Sequence, residues 1–195
     1  MTFIKTISEN QAEGLVQEEY QAARKNMGYV PNYIKALSLR PEVYDAWTKL
    51  NGAIRSNMRL RRYELVTFAS AMALECTYCM FAHGALLLKN FFSADQLAAI
   101  VKDFRNAGLP AEEVTLMSFA QKIATQAHQI SEYDIDELRG HGLSDEEILD
   151  VVLASAARSF FSKTLNTLDA KPDEAYWEFE PELLQLLLAR GHPLP

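Results

Sequence analysis

Both cysteines of the chain lie in one stretch, ELVTFASAMALECTYCMFAHG, residues 64–84. Cys76 and Cys79 are three residues apart, His83 follows four residues later, and Glu64 stands twelve residues before Cys76. These side-chain types can do thiol chemistry. A thiol attacks as its thiolate, and an ordinary cysteine has a pKa of about 8.5. A histidine one turn away can take the proton or, when charged, hold the thiolate. A carboxylate can orient that imidazole and relay the proton. Two thiols one turn apart can close into a disulfide once one of them is oxidised.

On a helix each residue turns by about 100°. Cys76 and Cys79 are then i,i+3 neighbours, and Cys79 and His83 are i,i+4 neighbours. Glu64 falls within about a third of a turn of all three if the helix is continuous. A break near 73–75 would instead set Cys76 at a helix N-terminus, with Glu64 facing the dithiol from the preceding helix. Either arrangement is expected to gather the four side chains. Plainer readings stand beside this one. Two thiols on an apolar helix also serve as small buried hydrophobes. Cys-x-x-Cys-x-x-x-His offers three zinc ligands, but a structural zinc site takes four and the chain has no second cysteine pair. His128, His141 or His192 would complete it only if the fold brought one there.

The elements that must position these residues read as helical throughout. Ser8 with Gln11, Ser93 with Gln96, and Ser144 with Glu147 have capping-box spacing. Pro41 suits a first helical position and precedes Val43, Trp47, Leu50 and Ile54 at helical spacing. Pro110 opens a helix ending near Ile130, Ser131 caps a short one to Gly140, and PELLQLLLAR is a last helix stopped by Gly191. No useful segment alternates apolar and polar residues as a half-buried strand would. The expectation is an all-α protein of eight or nine helices. It would form a single domain over 1–195, with 171–195 as a C-terminal appendage. ELVTFASAMAL and ILDVVLASAARSF share an Ala-Ser-Ala core, which reads as small residues on two packed helices.

The chain has 195 residues, 49% of them hydrophobic, and a net charge of −7. That balance argues against a nucleic-acid surface, which gathers Lys and Arg on one face. The start turns polar within ten residues and lacks a secretory h-region, and the apolar stretch 65–88 is interrupted by Glu75 and His83. A cytoplasmic protein without a membrane partner is expected. There, adjacent cysteines are more often redox-active or metal-binding than structural. The apolar 65–88 helix and PELLQLLLAR suggest a homo-oligomer that covers them.

The spacing Glu64, Cys76, Cys79, His83 matches E-x11-C-x-x-C-x-x-x-H. It resembles the alkylhydroperoxidase D-like (carboxymuconolactone decarboxylase) superfamily, and is most similar to its peroxidase-related branch. The flanking GYVPNYIKALSLRPEVYDAW and LSDEEILDVVLASAARSFF are similar to that branch too, so the resemblance covers most of 10–170. The resemblance implies an all-helical fold, oligomers built through the motif helices, and a thiol-dependent peroxidase. Cys79 would attack a hydroperoxide, Cys76 would resolve the sulfenic acid and meet the reductant, and His83 and Glu64 would relay the proton. No cofactor or metal is implied, because electrons come from an external dithiol. Tyr78 departs from the pattern, since the founding member has a histidine before its second cysteine. A redox sensor whose disulfide alters assembly, or a zinc-binding helical module, is the alternative.

Overall fold

The computed structural model describes residues 2–191. Ten α-helices and four short 3-10 turns make up the described residues, with no strand among them. The helices are α1 (Gly14–Met27), α2 (Asn32–Ala36), α3 (Pro41–Ser56), α4 (Leu60–Ala73), α5 (Thr77–Asn90), α6 (Ala94–Asp103), α7 (Ala111–Gln126), α8 (Glu132–Gly140), α9 (Asp145–Leu168) and α10 (Pro181–Arg190). The all-α expectation holds. The helix count exceeds it because α2 folds between Pro31 and Pro41 and because 61–90 divides into α4 and α5.

The capping boxes of α6 and α9 form as read, with Ser93 and Ser144 accepting from the Gln96 and Glu147 amides at 3.2 Å each. Ser8 does not start α1. Its hydroxyl is taken by the Asn10 and Gln11 side chains rather than by a backbone amide. Only the 3-10 turn Glu9–Gln11 follows, and α1 waits until Gly14.

α4 lies at the centre, packed on α5, α7 and α9. Every residue from Tyr63 to Met72 is buried, which explains why this helix is apolar nearly all round. The chain's own helices therefore cover the stretch that seemed to need a neighbouring subunit. α10 is covered in the same way, laying Leu183 and Leu187 against α6 and α5. The two Ala-Ser-Ala segments do pack on one another. Ser70 Oγ and Ser155 Oγ are 2.8 Å apart, and Ser155 also donates to the Ala120 carbonyl. Small residues here let α4 and α9 approach closely while the Ser70 and Ser155 hydroxyls keep partners.

The segment after α9 is tied back to the body. Asp173 accepts from the Asn32 amide at 2.8 Å and from the Tyr78 hydroxyl. Residues 192–195, including His192 and the end of the expected 171–195 appendage, lie outside the described residues, as does Met1. Among the described residues no helix is long and apolar enough to cross a membrane.

Candidate active site

α4 ends in a tight turn. The Glu75 amide reaches the Met72 carbonyl and the Cys76 amide reaches the Ala71 carbonyl, the paired bonds of a Schellman motif. Its left-handed position is held by Glu75 at φ 52° instead of the usual glycine. Asn166 of α9 clamps the turn by donating to the Leu74 carbonyl at 2.9 Å. The chain reverses here, so Cys76 becomes the N-cap of α5 and Cys79 sits in its first turn.

Of the two arrangements allowed by the spacing, the broken one is found. Glu64 Oε2 lies 2.6 Å from His83 Nδ1, and Thr67 Oγ1 lies 3.3 Å from the same nitrogen. Glu64 is 1% exposed and His83 7%, so this pair is held out of solvent. With Nδ1 engaged, the other ring nitrogen is the one left for chemistry. Among the described residues no group of three His, Cys, Asp or Glu side chains is placed to hold a metal ion.

The cysteines are both free and buried, but they are not equivalent. Cys79 lines a cavity of about 590 Å³ between α3, α5 and α9, together with His83, Trp47, Phe161 and Tyr33; Cys76 does not reach it. Cys76 stands at the start of α5, as the broken arrangement has it, and is fully buried there.

The sequence reading missed Arg158 of α9. It is 6% exposed, and its Nη1 lies 3.7 Å from Cys79 Sγ. Among the described residues it has no carboxylate partner, and its Nε makes no hydrogen bond. Its guanidinium carbon stands 5.5 Å and 5.9 Å from the Phe161 and Trp47 ring centroids. The electrostatics follow. The Cys76 thiol donating to the Cys79 sulfur, with the charge of Arg158 and further help from Ser162 and His83, outweighs burial and pulls the Cys79 pKa down to about 5. The same sharing, added to burial, pushes Cys76 well above an ordinary thiol. Ser162 Oγ, without an ordinary partner, lies against both sulfurs.

The neighbouring side chains have distinct places. Tyr78 lines the cavity, but its hydroxyl is committed to Asp173 and the Tyr33 amide, and burial pushes its pKa far up, so it is no base for Cys79. Tyr176 covers one edge of the cavity, while Trp177 packs edge-on against Phe81. Met80 and Phe81 are fully buried core.

Residues 41–103 match the model of the carboxymuconolactone decarboxylase family. No curated protein sequence matches the chain. Among solved structures, a peroxidase-related protein with an alkylhydroperoxidase AhpD core from Ralstonia eutropha is 24% identical, with a TM-score of 0.79 over 90% of this chain and 94% of that one. A peroxidase-related protein from a Silicibacter species is also 24% identical, with a TM-score of 0.78 over 91% and 98%. The debrominase Bmp8 is 16% identical, with a TM-score of 0.75 over 96% and 98%. These likenesses establish the fold, and the resemblance read from the motif is borne out.

Proposed function

From a chain that carries a carboxymuconolactone decarboxylase family segment on an alkylhydroperoxidase-like fold, we propose a thiol-dependent peroxidase. The observation that carries the reading is Arg158, a buried cation whose counter-charge is the Cys79 sulfur. A buried unpaired charge costs several kcal/mol. The arrangement therefore favours Cys79 as a standing thiolate, open to the cavity while Cys76 keeps its proton.

In the proposed cycle the Cys79 thiolate attacks the terminal oxygen of a hydroperoxide. The O–O bond breaks, the alkoxide leaves and takes a proton from His83, and Cys79 becomes a sulfenic acid. Glu64 fixes the imidazole through Nδ1 at 2.6 Å and leaves the other ring nitrogen for the proton transfer. The Cys76 thiol then attacks the Cys79 sulfur: the S–S bond forms as the S–OH bond breaks, and the Cys76 proton passes to the departing hydroxide, which leaves as water. An external dithiol returns both cysteines to thiols and is itself oxidised to a disulfide. The close Cys-x-x-Cys pair fits a reducing compartment such as the cytoplasm, where adjacent cysteines are more often redox-active than structural.

A homo-oligomer belongs to the same reading, on different grounds from those in the sequence. Val43 and Leu50 of α3 and Leu149, Leu153 and Phe160 of α9 are all exposed, and these two helices are packed together. Sedimentation showing only monomer at micromolar concentration removes that part.

Titration of free thiols before and after one equivalent of organic hydroperoxide tests the reaction. Loss of two thiols per chain, and continued turnover with a dithiol present, is expected. Unchanged thiols sink the proposal, and one oxidation without turnover favours a redox sensor.

A further inference from the structure

The cavity over Cys79 has a polarity that the chain as a whole lacks. The net charge is −7, yet no Asp or Glu lines this cavity, whereas Arg55, Lys89 and Arg158 do. Arg158 is committed to the Cys79 sulfur. Nearby cations are paired as well: Lys49 with Asp45, Arg61 with Glu113, and Arg62 with Glu112 and Glu147. Among the described residues Arg55 and Lys89 have no such pair.

Their position has a direction. α5 presents Cys79, Ala82, His83, Leu86 and Lys89 to the cavity, a single helical stripe. α3 presents Tyr44, Trp47, Thr48, Asn51, Gly52 and Arg55, a wider band along one side of the helix. Trp47 stands beside Arg158, so the start of the α3 band lies at the sulfur end. At about 1.5 Å per residue, Lys89 lies roughly 15 Å along α5 from Cys79, and Arg55 roughly 12 Å along α3 from Trp47. The reacting sulfur is at one end and the free cations are at the other. Between them the walls are Trp47, Phe161, Ala82 and Leu86. About 590 Å³ is room for a whole small organic molecule rather than for hydrogen peroxide alone.

We infer that the cavity selects an amphipathic organic hydroperoxide bearing a carboxylate, with its peroxide at Cys79 and its carboxylate between Arg55 and Lys89. The inference rests on the thiol peroxidase reading for the chemistry, and the step is the one written above, with the carboxylate-bearing alcohol as product. Arg55 also stands over the Tyr63 ring at 6.0 Å, which limits its freedom and lowers the entropy lost on pairing.

The test compares a medium-chain fatty-acid hydroperoxide with its methyl ester, using the full chain and an external dithiol. Exposed charge pairs contribute about two- to fivefold each, so the acid should be preferred by roughly tenfold in kcat/KM, chiefly through KM. In Arg55→Gln/Lys89→Gln the acid-to-ester ratio should fall to near one, while Lys25→Gln, outside the cavity, should keep it. Both cavity substitutions are at exposed helix positions, and thermal melting checks that the fold persists. Equal use of acid and ester by the native protein, or an unchanged ratio in the double variant, overturns the inference. Calorimetric binding of the saturated acid and its methyl ester separates the two layers. Selective binding of the acid through Arg55 and Lys89 without any hydroperoxide turnover keeps the recognition and removes the peroxidase; turnover without discrimination does the reverse.

Discussion

Arg158→Met removes the cation beside Cys79 while keeping a long apolar side chain in its place. At 3.7 Å, an effective dielectric of about 20 gives a Coulomb attraction of about 4–5 kcal/mol. One pKa unit is about 1.36 kcal/mol, so the full attraction is worth about three units. The Cys76 thiol, Ser162 and His83 remain to hold the thiolate, and the expected rise is about one to three units. Cys79 would move from about 5 to between about 6 and 8. The rate of iodoacetamide alkylation of Cys79 against pH, followed by peptide mass spectrometry, reads the midpoint directly. Arg158→Lys, which keeps the charge but loses the planar fork, should shift it less. Stability adds an independent check. Because the folded pKa lies below that of an unfolded thiol, the stabilisation is fully present above about 8.5 and is lost as pH falls through about 5. The native protein should therefore gain on the Met variant as pH rises across that window. A midpoint that overlays the native one would show that Arg158 does not hold the thiolate, and the central argument for the site would fail.

The remaining expectations concern the other members of the site. Cys76→Ser should react once with hydroperoxide and stall as a Cys79 sulfenic acid that a dimedone probe traps, whereas Cys79→Ser should not react; adducts on Cys76 instead would invert the roles. His83→Ala should lower kcat/KM for hydroperoxide by about 10²- to 10⁴-fold as a lost proton donor. Its alkylation midpoint should move little, because the charge of His83 is the smallest of the influences on Cys79; a large midpoint shift would make His83 the main activator. Glu75→Gly relieves a left-handed residue that is exposed and should raise stability by about 0.5–1 kcal/mol in urea unfolding. A loss of stability there would mean that the Glu75 side chain contributes more than its backbone costs.

Much of the framework was legible because it is local. The Ser93 and Ser144 capping boxes, and Pro41, Pro110 and Pro181 at or just before their helix starts, each act within one turn. Ser8 shows the limit of the same rule. A hydroxyl with side-chain acceptors nearby need not cap the backbone. Arg158 was missed because it lies 79 residues from Cys79 in the chain. A signal was nonetheless present. On α9 the buried positions Val151, Ala154, Ser155, Phe161, Ser162 and Leu165 recur at helical spacing, and Arg158 falls on that stripe. A lone charge in core phase asks for a counter-charge, and the acid of α9 in the same phase, Glu147, is about three turns away and paired with Arg62.

The motif itself was misread in one respect, and the reason is geometric. Matching angles around a helix place residues on one face, but they do not place them at one height. Glu64 and His83 are 19 residues apart, so on an unbroken helix they would be separated by roughly 28 Å along the axis. No side chain closes that gap. The observed 2.6 Å contact therefore requires the chain to reverse between them, and the reversal occurs at Glu75. Nothing in the local sequence announces it, since neither glycine nor proline stands between Ala73 and Thr77. The demand comes from burial. α4 is already enclosed by α7 and α9, and folding α5 back against it buries a second apolar helix in the same core. The turn that satisfies packing also sets Cys76 at the N-cap, Cys79 in the first turn and the Glu64 carboxylate behind His83. The long spacing between the glutamate and the first cysteine is thus the length of a helix that must run from Glu64 to the turn carrying the thiols before α5 can bring His83 back to the carboxylate.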